Sequence, residues 1–492
     1  MSGLFSIRVT ALPGAILGVI LLTCSALSAE GGKPEEPVRV TVNGAKPRQT
    51  MVGFGGDFGL GSLRDLESEE DKKKAFDFAF REMGLNFVRI GIPYWEGTTA
   101  DDMWGANDNA DPFTFNWQAF NSGGISGCDA WKPWVPYMRG LGVTGEYFGC
   151  IQGPKWNGFD GKSSFNDDEM VETQLALFLY FRDKLGIEMK WFAPFSEPGG
   201  GGINWRVSAA DCVSVVKKLG AGLEKNGFKG VKMIVPDCTN LQQSVAYAEA
   251  ILKDPAAREY VGAIGYHCYW SGGGGERPSA EWIESRRKLR DLAAAHKLPL
   301  RMTEYADIGN DLMARANHLF NELEYADSQT YFPQMVFRSP PDGHHKVNPD
   351  PEQDNSAIVC YTRDAKGQLA EAKPTIAAGR AIGHYSRYAR PGSVRLEVVS
   401  SDTRLRLQAF RDEARSRLVM VIVNNATETV RVDVELSGGL KGNGKVGGDQ
   451  TVERGRSYWT PITAFLPGGP SSLSVAVPGR SVTSLAVPLE LK

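Results

Sequence analysis

The chain has 492 residues, a length that favours two folding units or one large barrel with an added domain. Apolar residues make up 42% and charged residues 23%, which is ordinary for a globular protein and excludes a disordered chain. Lysine and arginine number 55 against 58 acidic residues, so no overall charge attracts nucleic acid or an anionic membrane.

The first 29 residues have the pattern of a secretory signal peptide. One charge, Arg8, precedes the apolar run from Val9 to Thr23, and small residues follow as far as Ala29. The run is shorter than the roughly 20 residues of a membrane span. The sequence therefore predicts cleavage after Ala29, export and no membrane span. A lipid on Cys24 is the weaker alternative, because threonine precedes that cysteine.

Six cysteines remain after this leader, and an exported protein can form disulfides. They are Cys128, Cys150, Cys212, Cys238, Cys268 and Cys360. Six cysteines allow fifteen pairings, and the sequence leaves open whether they are bridged or unpaired. There is no Cys-x-x-Cys pair and the histidines have no ligand spacing, so the sequence predicts no metal or other cofactor.

Strand-like apolar runs alternate with helical patterns from residue 50 to residue 388. Ser68 and Ser208 are placed to begin two of the helices, and Gly84 and Gly186 to end two. The strand candidates are 51–56, 85–92, 144–151, 189–196, 231–236, 261–269, 298–305 and 331–337. Eight such repeats predict an α/β fold, a (β/α)8 TIM barrel. A doubly wound open sheet is the alternative, and the number of repeats disfavours it.

After residue 388 the pattern changes to short segments in which apolar and polar residues alternate. These segments are 394–400, 404–410, 417–424, 429–436, 473–477 and 482–489. Glycine clusters such as Gly447-Gly448 are interpreted as turns between them. The sequence thus predicts an appended antiparallel β-sandwich over residues 389–492. Because Val38–Val42 alternates in the same way, residues 36–49 are predicted to join it.

Two glutamates close apolar runs at the ends of predicted barrel strands. Strand four reads MKWFAPFSE and ends in Glu197, and strand seven reads LPLRMTE and ends in Glu304. Catalytic groups of such barrels lie at the carboxyl ends of the strands, and a buried charge is costly unless it faces a polar site. One such glutamate would be explained by an ion pair, but two on facing strands favour a carboxyl pair. Two carboxyls that flank a glycosidic bond can hydrolyse it, one as nucleophile and one as proton donor.

Six motifs resemble those of glycoside hydrolase family 30, a clan A family that includes glucosylceramidases, xylanases and β-1,6-glucanases. In chain order they are QTMVGFGGDFG (Gln49–Gly59), LNFVRIGIP (Leu85–Pro93), KLGIEMKWFAPFSEP (Lys184–Pro198), YHCYW (Tyr266–Trp270), MTEYA (Met302–Ala306) and IGHYSRYARPGSVRL (Ile382–Leu396). The resemblance covers nearly all of the chain after residue 29, and the order of the motifs makes it specific.

The resemblance implies a role for each matching position. Glu197 would be the acid/base and Glu304 the nucleophile of a retaining β-glycoside hydrolase. Arg89 would keep the nucleophile ionised, Tyr269 would donate a hydrogen bond to it, and His267 would line the same subsite. The alternatives are that Arg89 is a structural ion-pair partner and that His267 is a satisfied core histidine.

The sugar-binding positions depart from the family pattern. Ser196 stands where the clan has an asparagine before the acid/base, and its short hydroxyl would weaken that contact. Ile151 replaces a sugar-stacking tryptophan, although Trp156 matches a later one of that motif. The predicted eighth strand lacks the tryptophan that typically lines one side of the sugar subsite in the family. The acidic residue after the first-strand glycines is displaced, with Asp57 earlier and Leu60 at the family position.

These departures indicate either an altered substrate or a relic without activity, and the presence of both carboxylates favours activity. Replacement sugar platforms would come from Trp104, Trp117, Trp205 or Trp270. Further subsites are expected at the polar loop Ser339–Ser356 and the glycine run Gly199–Gly202.

The sequence therefore predicts an exported retaining β-glycoside hydrolase with an oligo- or polysaccharide substrate. Its substrate-binding residues would be Asp57, Arg89, Trp156, Ser196, His267 and Tyr269. Two alternatives keep the same fold: a carbohydrate-binding protein without hydrolysis, and a transglycosylase.

Overall fold

The structure is a computed structural model, and it describes residues 36–58, 66, 68–92, 111, 113–115, 126–150, 165–199, 207–269, 278–306, 311–337, 351–353, 356–455, 457–464 and 469–490. Several predictions lie wholly or mostly outside these residues: the signal peptide, Leu60, Ile151, Trp156, the four platforms Trp104, Trp117, Trp205 and Trp270, the glycine run Gly199–Gly202 and the loop Ser339–Ser356.

A barrel of parallel strands occupies the middle of the chain. Its strands are β2 (Gly53–Phe58), β3 (Phe87–Ile92), β4 (Gly145–Cys150), β5 (Trp191–Ala193), β6 (Lys232–Cys238), β7 (Val261–His267), β8 (Leu300–Glu304), β9 (Thr330–Tyr331) and β10 (Met335–Phe337). β2 to β8 lie side by side in chain order. β9 and β10 both pair in parallel with β2, so together they form the eighth strand in two pieces. Beyond β10 the sheet continues into a hairpin of β11 (Ala357–Arg363) and β12 (Leu369–Pro374).

Side chains help to close the barrel between β8 and the eighth strand, which consists of β9 and β10. The Gln329 N–H donates to the Leu300 carbonyl at 2.8 Å. The Met302 N–H donates instead to the Ser328 hydroxyl at 2.9 Å, and the Thr330 hydroxyl donates to the Met302 carbonyl at 3.0 Å. The two hydroxyls supply hydrogen-bond partners for the N–H and the carbonyl of Met302. The barrel therefore closes there without a regular ladder of backbone hydrogen bonds.

Helices follow the strands as the repeat predicts. They are α1 (Glu69–Phe76), α2 (Trp131–Gly140), α3 (Asp167–Tyr180), α4 (Ala209–Lys225), α5 (Leu241–Lys253), α6 (Pro255–Arg258), α7 (Ala280–Ala295), α8 (Leu312–Tyr325) and α9 (Ala378–Ser386). α1 and α3 each continue as a π-helical segment, Asp77–Glu82 and Phe181–Leu185, and short 3-10 helices span Ser126–Ala130, Pro351–Gln353 and Glu413–Arg415. The predicted caps are confirmed: Ser68 accepts from the Asp71 N–H, and Ser208 forms a reciprocal capping box with Asp211.

A second sheet of nine strands joins both ends of the described chain. Its strands are β1 (Val38–Thr50), β13 (Val394–Ser400), β14 (Leu405–Asp412), β15 (Arg417–Asn424), β16 (Val430–Ser437), β17 (Val446–Val452), β18 (Thr460–Ala464), β19 (Ser472–Val477) and β20 (Ser481–Pro488). β1 lies between β13 and β16. The β1–β16 pair is parallel, which departs from the predicted antiparallel arrangement, whereas β1 pairs with β13 antiparallel.

The two faces of this sheet are buried in different cores. Along β15, Leu418, Met420 and Ile422 pack inside the sandwich. The alternate residues Val419 and Val421 pack against the barrel. Because successive side chains of a strand point to opposite faces, a continuous apolar run is what a strand buried on both sides requires.

The pair Gly447-Gly448 lies inside β17, so its interpretation as a turn is wrong. A Cβ atom on Gly448 would lie 2.0 Å from the carbonyl oxygen of Ser484 on the neighbouring strand. Glycine is needed at Gly448 because the two backbones approach closely, and not because the chain reverses.

Cys128, Cys212, Cys238, Cys268 and Cys360 are buried, and Cys212, Cys238 and Cys268 are free thiols. For these three, the question that the sequence left open is settled in favour of free thiols. In the described chain no helix combines the length and apolar character that crossing a bilayer requires.

Candidate active site

Polar side chains cluster at one end of the barrel. They are Asp57 on β2, Arg89 on β3, Glu197 after β5, Asp237 on β6, His267 and Tyr269 at the end of β7, and Glu304 on β8. Parallel strands have all their carboxyl ends at the same end of a barrel, so residues far apart in sequence converge there.

The two predicted catalytic glutamates face each other. A carboxylate oxygen of Glu197, one of Glu304 and a ring nitrogen of His267 all lie within 4.8 Å of one another. Glu304 is 8% exposed, and the Glu197 side chain is 16% exposed. Both carboxyls are therefore close enough to act on one bond.

A register shift between β7 and β8 orients Glu304. The shift falls just before the paired residues His267 and Glu304. As a result two consecutive side chains reach the interior: the Thr303 hydroxyl donates to the Asp237 carboxylate, and Glu304 accepts from Arg89. Irregular pairing of this kind re-aims side chains beside functional sites.

Two donors hold the Glu304 carboxylate. Arg89 Nη2 donates to Oε2, and the Tyr269 hydroxyl donates to Oε1 at 2.9 Å. Burial by itself would raise the pKa of Glu304. The positive charges of His267 and Arg89, together with these hydrogen bonds, outweigh burial and hold the pKa below its ordinary value. Glu304 is therefore an ionised carboxylate at neutral pH.

Arg89 also binds Asp57, its Cα partner on β2. Its Nε and Nη2 donate to Asp57 Oδ2 at 3.1 and 2.7 Å. Burial lowers the pKa of Arg89, but the charges of Asp57 and Glu304 outweigh it and raise that pKa well above the usual range. Burial raises the pKa of Asp57, despite the opposing effect of Arg89. Arg89 is a permanent cation between two carboxyl groups.

Glu197 is held by its backbone as well as by its side chain. Its φ is +58°, in the left-handed region that few non-glycine residues adopt. Its N–H donates to the Asp237 carbonyl at 2.8 Å, and its Oε1 lies 3.0 Å from His267 Nδ1. Ser196 precedes it and is also buried, with 8% exposure.

His267 is fully buried and lies between acidic groups. Its Nδ1 faces Glu197, and its Nε2 is 3.5 Å from Asp237 Oδ2. Burial lowers the pKa of His267, but the charges of Glu304 and Asp237 outweigh it and raise the pKa to about 10. This shift favours the cationic ring at neutral pH, in which Nδ1–H donates to Glu197.

Solved structures share this fold at low sequence identity. The catalytic domain of a family 30 xylanase from Talaromyces cellulolyticus matches with a TM-score of 0.66 and 18% identity, over 91% of this chain and 99% of that one. A family 30, subfamily 8 xylanase from Clostridium acetobutylicum gives 0.65 and 17%, over 92% and 99%. An endo-β-1,6-glucanase gives 0.63 and 18%, over 92% and 94%. The fold is that of family 30 glycoside hydrolases.

This match confirms the predicted barrel with its β-sandwich, and it confirms the family resemblance as a likeness of fold. No protein-family model matches the chain. No curated protein matches it either.

Asp237 is a member of the site that the sequence analysis missed. It ends the apolar run MIVPD of β6. In the same way, Glu197 follows β5 and Glu304 ends β8. The same criterion, an acidic residue at the carboxyl end of a barrel strand, would have selected it. Asp237 is 0% exposed and contacts Arg89, His267 and Thr303.

The donor set does not suit a resident metal ion. Glu197, His267 and Glu304 are close enough to share an ion. However, both Glu304 oxygens already accept hydrogen bonds from Arg89 and Tyr269, and a cationic imidazole has no lone pair for a metal.

A second buried cluster behind β7 is equally unsuited to a metal. It contains Cys268, His318 and Glu322. Arg286 donates to Glu322 Oε1 through Nε at 2.8 Å and through Nη2 at 2.6 Å. The arginine already neutralises the carboxylate, so this cluster is a structural ion pair.

Proposed function

We propose that the chain is an exported retaining β-glycoside hydrolase that acts on an oligo- or polysaccharide. The observation that carries the proposal is the approach of the Glu197 and Glu304 carboxylates to within 4.8 Å, at the carboxyl ends of barrel strands. Retaining enzymes have carboxyl groups about 5–5.5 Å apart, whereas inverting enzymes need about 6.5–9.5 Å to admit a water. The short spacing supports double displacement.

In the first step Glu304 would be the nucleophile. Its carboxylate attacks the anomeric carbon while Glu197 gives a proton to the glycosidic oxygen, so the carbon–oxygen bond breaks and the leaving sugar departs as an alcohol. The low pKa of Glu304, held down against burial by His267 and Arg89, supports this assignment. Because Oε1 of Glu197 accepts from His267, its Oε2 is the oxygen that would carry the proton.

In the second step Glu197 would act as a base. Its carboxylate takes a proton from a water molecule whose oxygen attacks the anomeric carbon, and Glu304 leaves as a free carboxylate. Each displacement inverts the anomeric carbon, so the product keeps the β configuration. Asp57, Arg89, Ser196, His267 and Tyr269 would line the sugar subsite, and Trp156 would add a platform.

The test is turnover of a panel of aryl β-glycosides by the wild-type protein and by Glu304→Gln and Glu197→Gln. Glu188→Gln is the matched control, because its side chain is 70% exposed in the loop before β5. We expect Glu304→Gln to lose turnover. Glu197→Gln should lose about 10²–10⁴-fold with poor leaving groups and regain rate with added azide. A 2-fluoro β-glycoside should label Glu304, as read by mass spectrometry of the digested protein.

Four results would contradict the proposal, the last of them release of the inverted anomer. Glycan binding without any turnover identifies a carbohydrate-binding protein. Transfer to an acceptor sugar in place of water identifies a transglycosylase. Labelling at a residue other than Glu304, with full activity in Glu304→Gln, removes the assigned nucleophile. The anomer released, followed by NMR, distinguishes retention from inversion.

A further inference from the structure

Asp237 contacts groups on the Glu197 side and on the Glu304 side of the site. Its carboxylate accepts from the Thr303 hydroxyl, lies 3.5 Å from His267 Nε2 and lies 3.7 Å from Arg89 Nη1. Its carbonyl accepts from the Glu197 N–H. The residue is completely buried, with a left-handed φ of +61°. Asp237 therefore fixes the main chain of one glutamate and contacts the two cations that face the other.

We propose that Asp237 is a positioning residue that keeps His267 cationic between the two glutamates through the whole reaction. The proposal rests on the function proposed above, because it assigns Asp237 a part in that double displacement. Asp237 does not touch the reacting atoms and acts through His267.

The charge balance of the cycle explains why a permanent counter-charge is needed. Before the first step, the proposed reaction requires an ionised Glu304 as nucleophile and a proton on Glu197 to give to the leaving group. In the glycosyl-enzyme Glu304 is a neutral ester and Glu197 is ionised. One negative charge thus moves from Glu304 to Glu197, and His267 lies within 4.8 Å of both. A cation in this position stabilises the negative charge both when it is on Glu304 and when it is on Glu197.

His267 would not stay charged at this depth without an anion of its own. Burial favours the neutral ring, and the acidic groups that face it are Glu197 after β5, Asp237 on β6 and Glu304 on β8. Tyr269, two residues further along the chain, has its ring centroid 6.1 Å from that of His267. Glu197 and Glu304 exchange their charge during turnover, so Asp237 is the acidic neighbour whose charge is constant. Burial raises the pKa of Asp237, but His267, Arg89 and Thr303 outweigh it and keep the carboxylate ionised.

The experiment compares the imidazole titration of wild type, Asp237→Asn and Thr303→Val by NMR with ¹⁵N-labelled histidine. The chain has six histidines, and the signal lost in His267→Gln assigns the ring. Asparagine fits the space and tolerates the left-handed backbone. We expect His267 to remain protonated past pH 8 in the wild type and to titrate roughly one to three pH units lower in Asp237→Asn. Thr303→Val removes a hydrogen bond from the same carboxylate but keeps its charge, so its shift should be much smaller.

Each outcome decides the proposal. A neutral His267 at pH 7 in the wild type overturns it, even if Asp237→Asn does not fold. An unchanged titration in a folded Asp237→Asn overturns it as well. In an active enzyme, Asp237→Asn should also acquire a new alkaline limb in its kcat/KM profile, and a profile identical to wild type would contradict the positioning role. The titration needs no substrate, so it tests Asp237 even if no glycoside is hydrolysed and the proposed function fails.

Discussion

Asp57 and Glu304 accept hydrogen bonds from the same nitrogen of Arg89, Nη2. The two carboxyl groups therefore compete for one donor, while burial raises the pKa of Asp57 and the surrounding cations lower that of Glu304 against the effect of burial. The two pKa values are shifted in opposite directions, so a proton bound by either carboxyl changes how Arg89 is shared with the other. The ionisation of Asp57 is thus expected to influence that of the nucleophile.

Asp57→Asn should simplify the acid side of the pH profile. Asparagine resembles the protonated carboxyl, so the variant lacks the ionisation of Asp57 but keeps an oxygen that accepts from Arg89. The rate at which a 2-fluoro glycoside labels Glu304 should fall with two ionisations in the wild type and with one in Asp57→Asn. Superimposable profiles would show that the charge of Asp57 has no influence on Glu304.

Arg89→Met should destabilise the barrel by about 3–5 kcal/mol at pH 7, because it leaves buried carboxylates without their cation. The loss should be smaller at pH 5, since the folded variant can relieve the unpaired charge on Asp57 or Glu304 by binding a proton. Urea unfolding at the two pH values measures both effects. Arg89→Lys keeps the charge and should lose less, and an equal loss in the two variants would point to packing instead.

Glu322→Gln should destabilise the packing of α7 and α8 against β7. Glu322 is fully buried and accepts from Arg286 and from the Tyr266 hydroxyl at 2.8 Å. Burial raises its pKa, but Arg286 and His318 outweigh burial and lower the pKa to about 2. Its folded-state pKa is thus depressed, so its contribution is complete above the unfolded value and is lost as the pH falls toward 2.

The free energy of unfolding of Glu322→Gln should therefore lie about 3–5 kcal/mol below that of wild type at pH 7, and the gap should narrow below pH ~4.5. Urea titrations at pH 7, 5 and 4 measure the gap. Glu188→Gln, with its exposed side chain, is the control and should leave stability unchanged. A gap that stays constant down to pH 4 would show that the lost contribution is not ionic.

His384→Gln should remove part of the acid sensitivity of the junction between α9 and the sandwich. His384 is fully buried, with Nδ1 2.8 Å from the Ser484 hydroxyl and Nε2 2.8 Å from the Thr451 hydroxyl. Burial, and then Arg387, lower its pKa to about 3. The neutral ring stabilises the fold above the unfolded pKa, and this contribution is lost as the pH falls from about 6.5 toward 3.

In that window His384 adds about 1.4 kcal/mol per pH unit to the slope of the unfolding free energy. The slope measured in urea between pH 6.5 and 5 should be shallower by this amount in His384→Gln. Ser484→Ala removes a hydrogen bond but keeps the titrating ring, so it should lower stability without changing the slope. Equal slopes in wild type and His384→Gln would contradict the assignment.

The barrel could be predicted from sequence because its strands are buried on both faces. The candidates 85–92 and 261–269 contain β3 and β7, since strands of this kind are continuous apolar runs. The eighth strand differed from the single run predicted at 331–337. It is split into β9 and β10, and the hydroxyls of Ser328 and Thr330 replace backbone partners, which no apolar pattern records.

The site was only partly predictable. Glu197 and Glu304 could be selected from strand position and motif, whereas Asp237 has the strand position but lies outside the six family motifs. The orientation of Glu304 depends on a register shift, and the backbone of Glu197 depends on a bond to the Asp237 carbonyl. Both are three-dimensional relationships that a linear pattern does not contain.

The place of β1 has a consequence for how the chain folds. The Ser437 hydroxyl donates to the Val42 carbonyl across 395 residues of sequence, and β1 is an interior strand of its sheet, between β13 and β16. β1, the first strand of the described residues, can therefore complete its hydrogen bonds only after β16 has been synthesised. Contacts this distant in sequence slow folding, and a chain interrupted before β16 would display an unpaired strand edge open to aggregation.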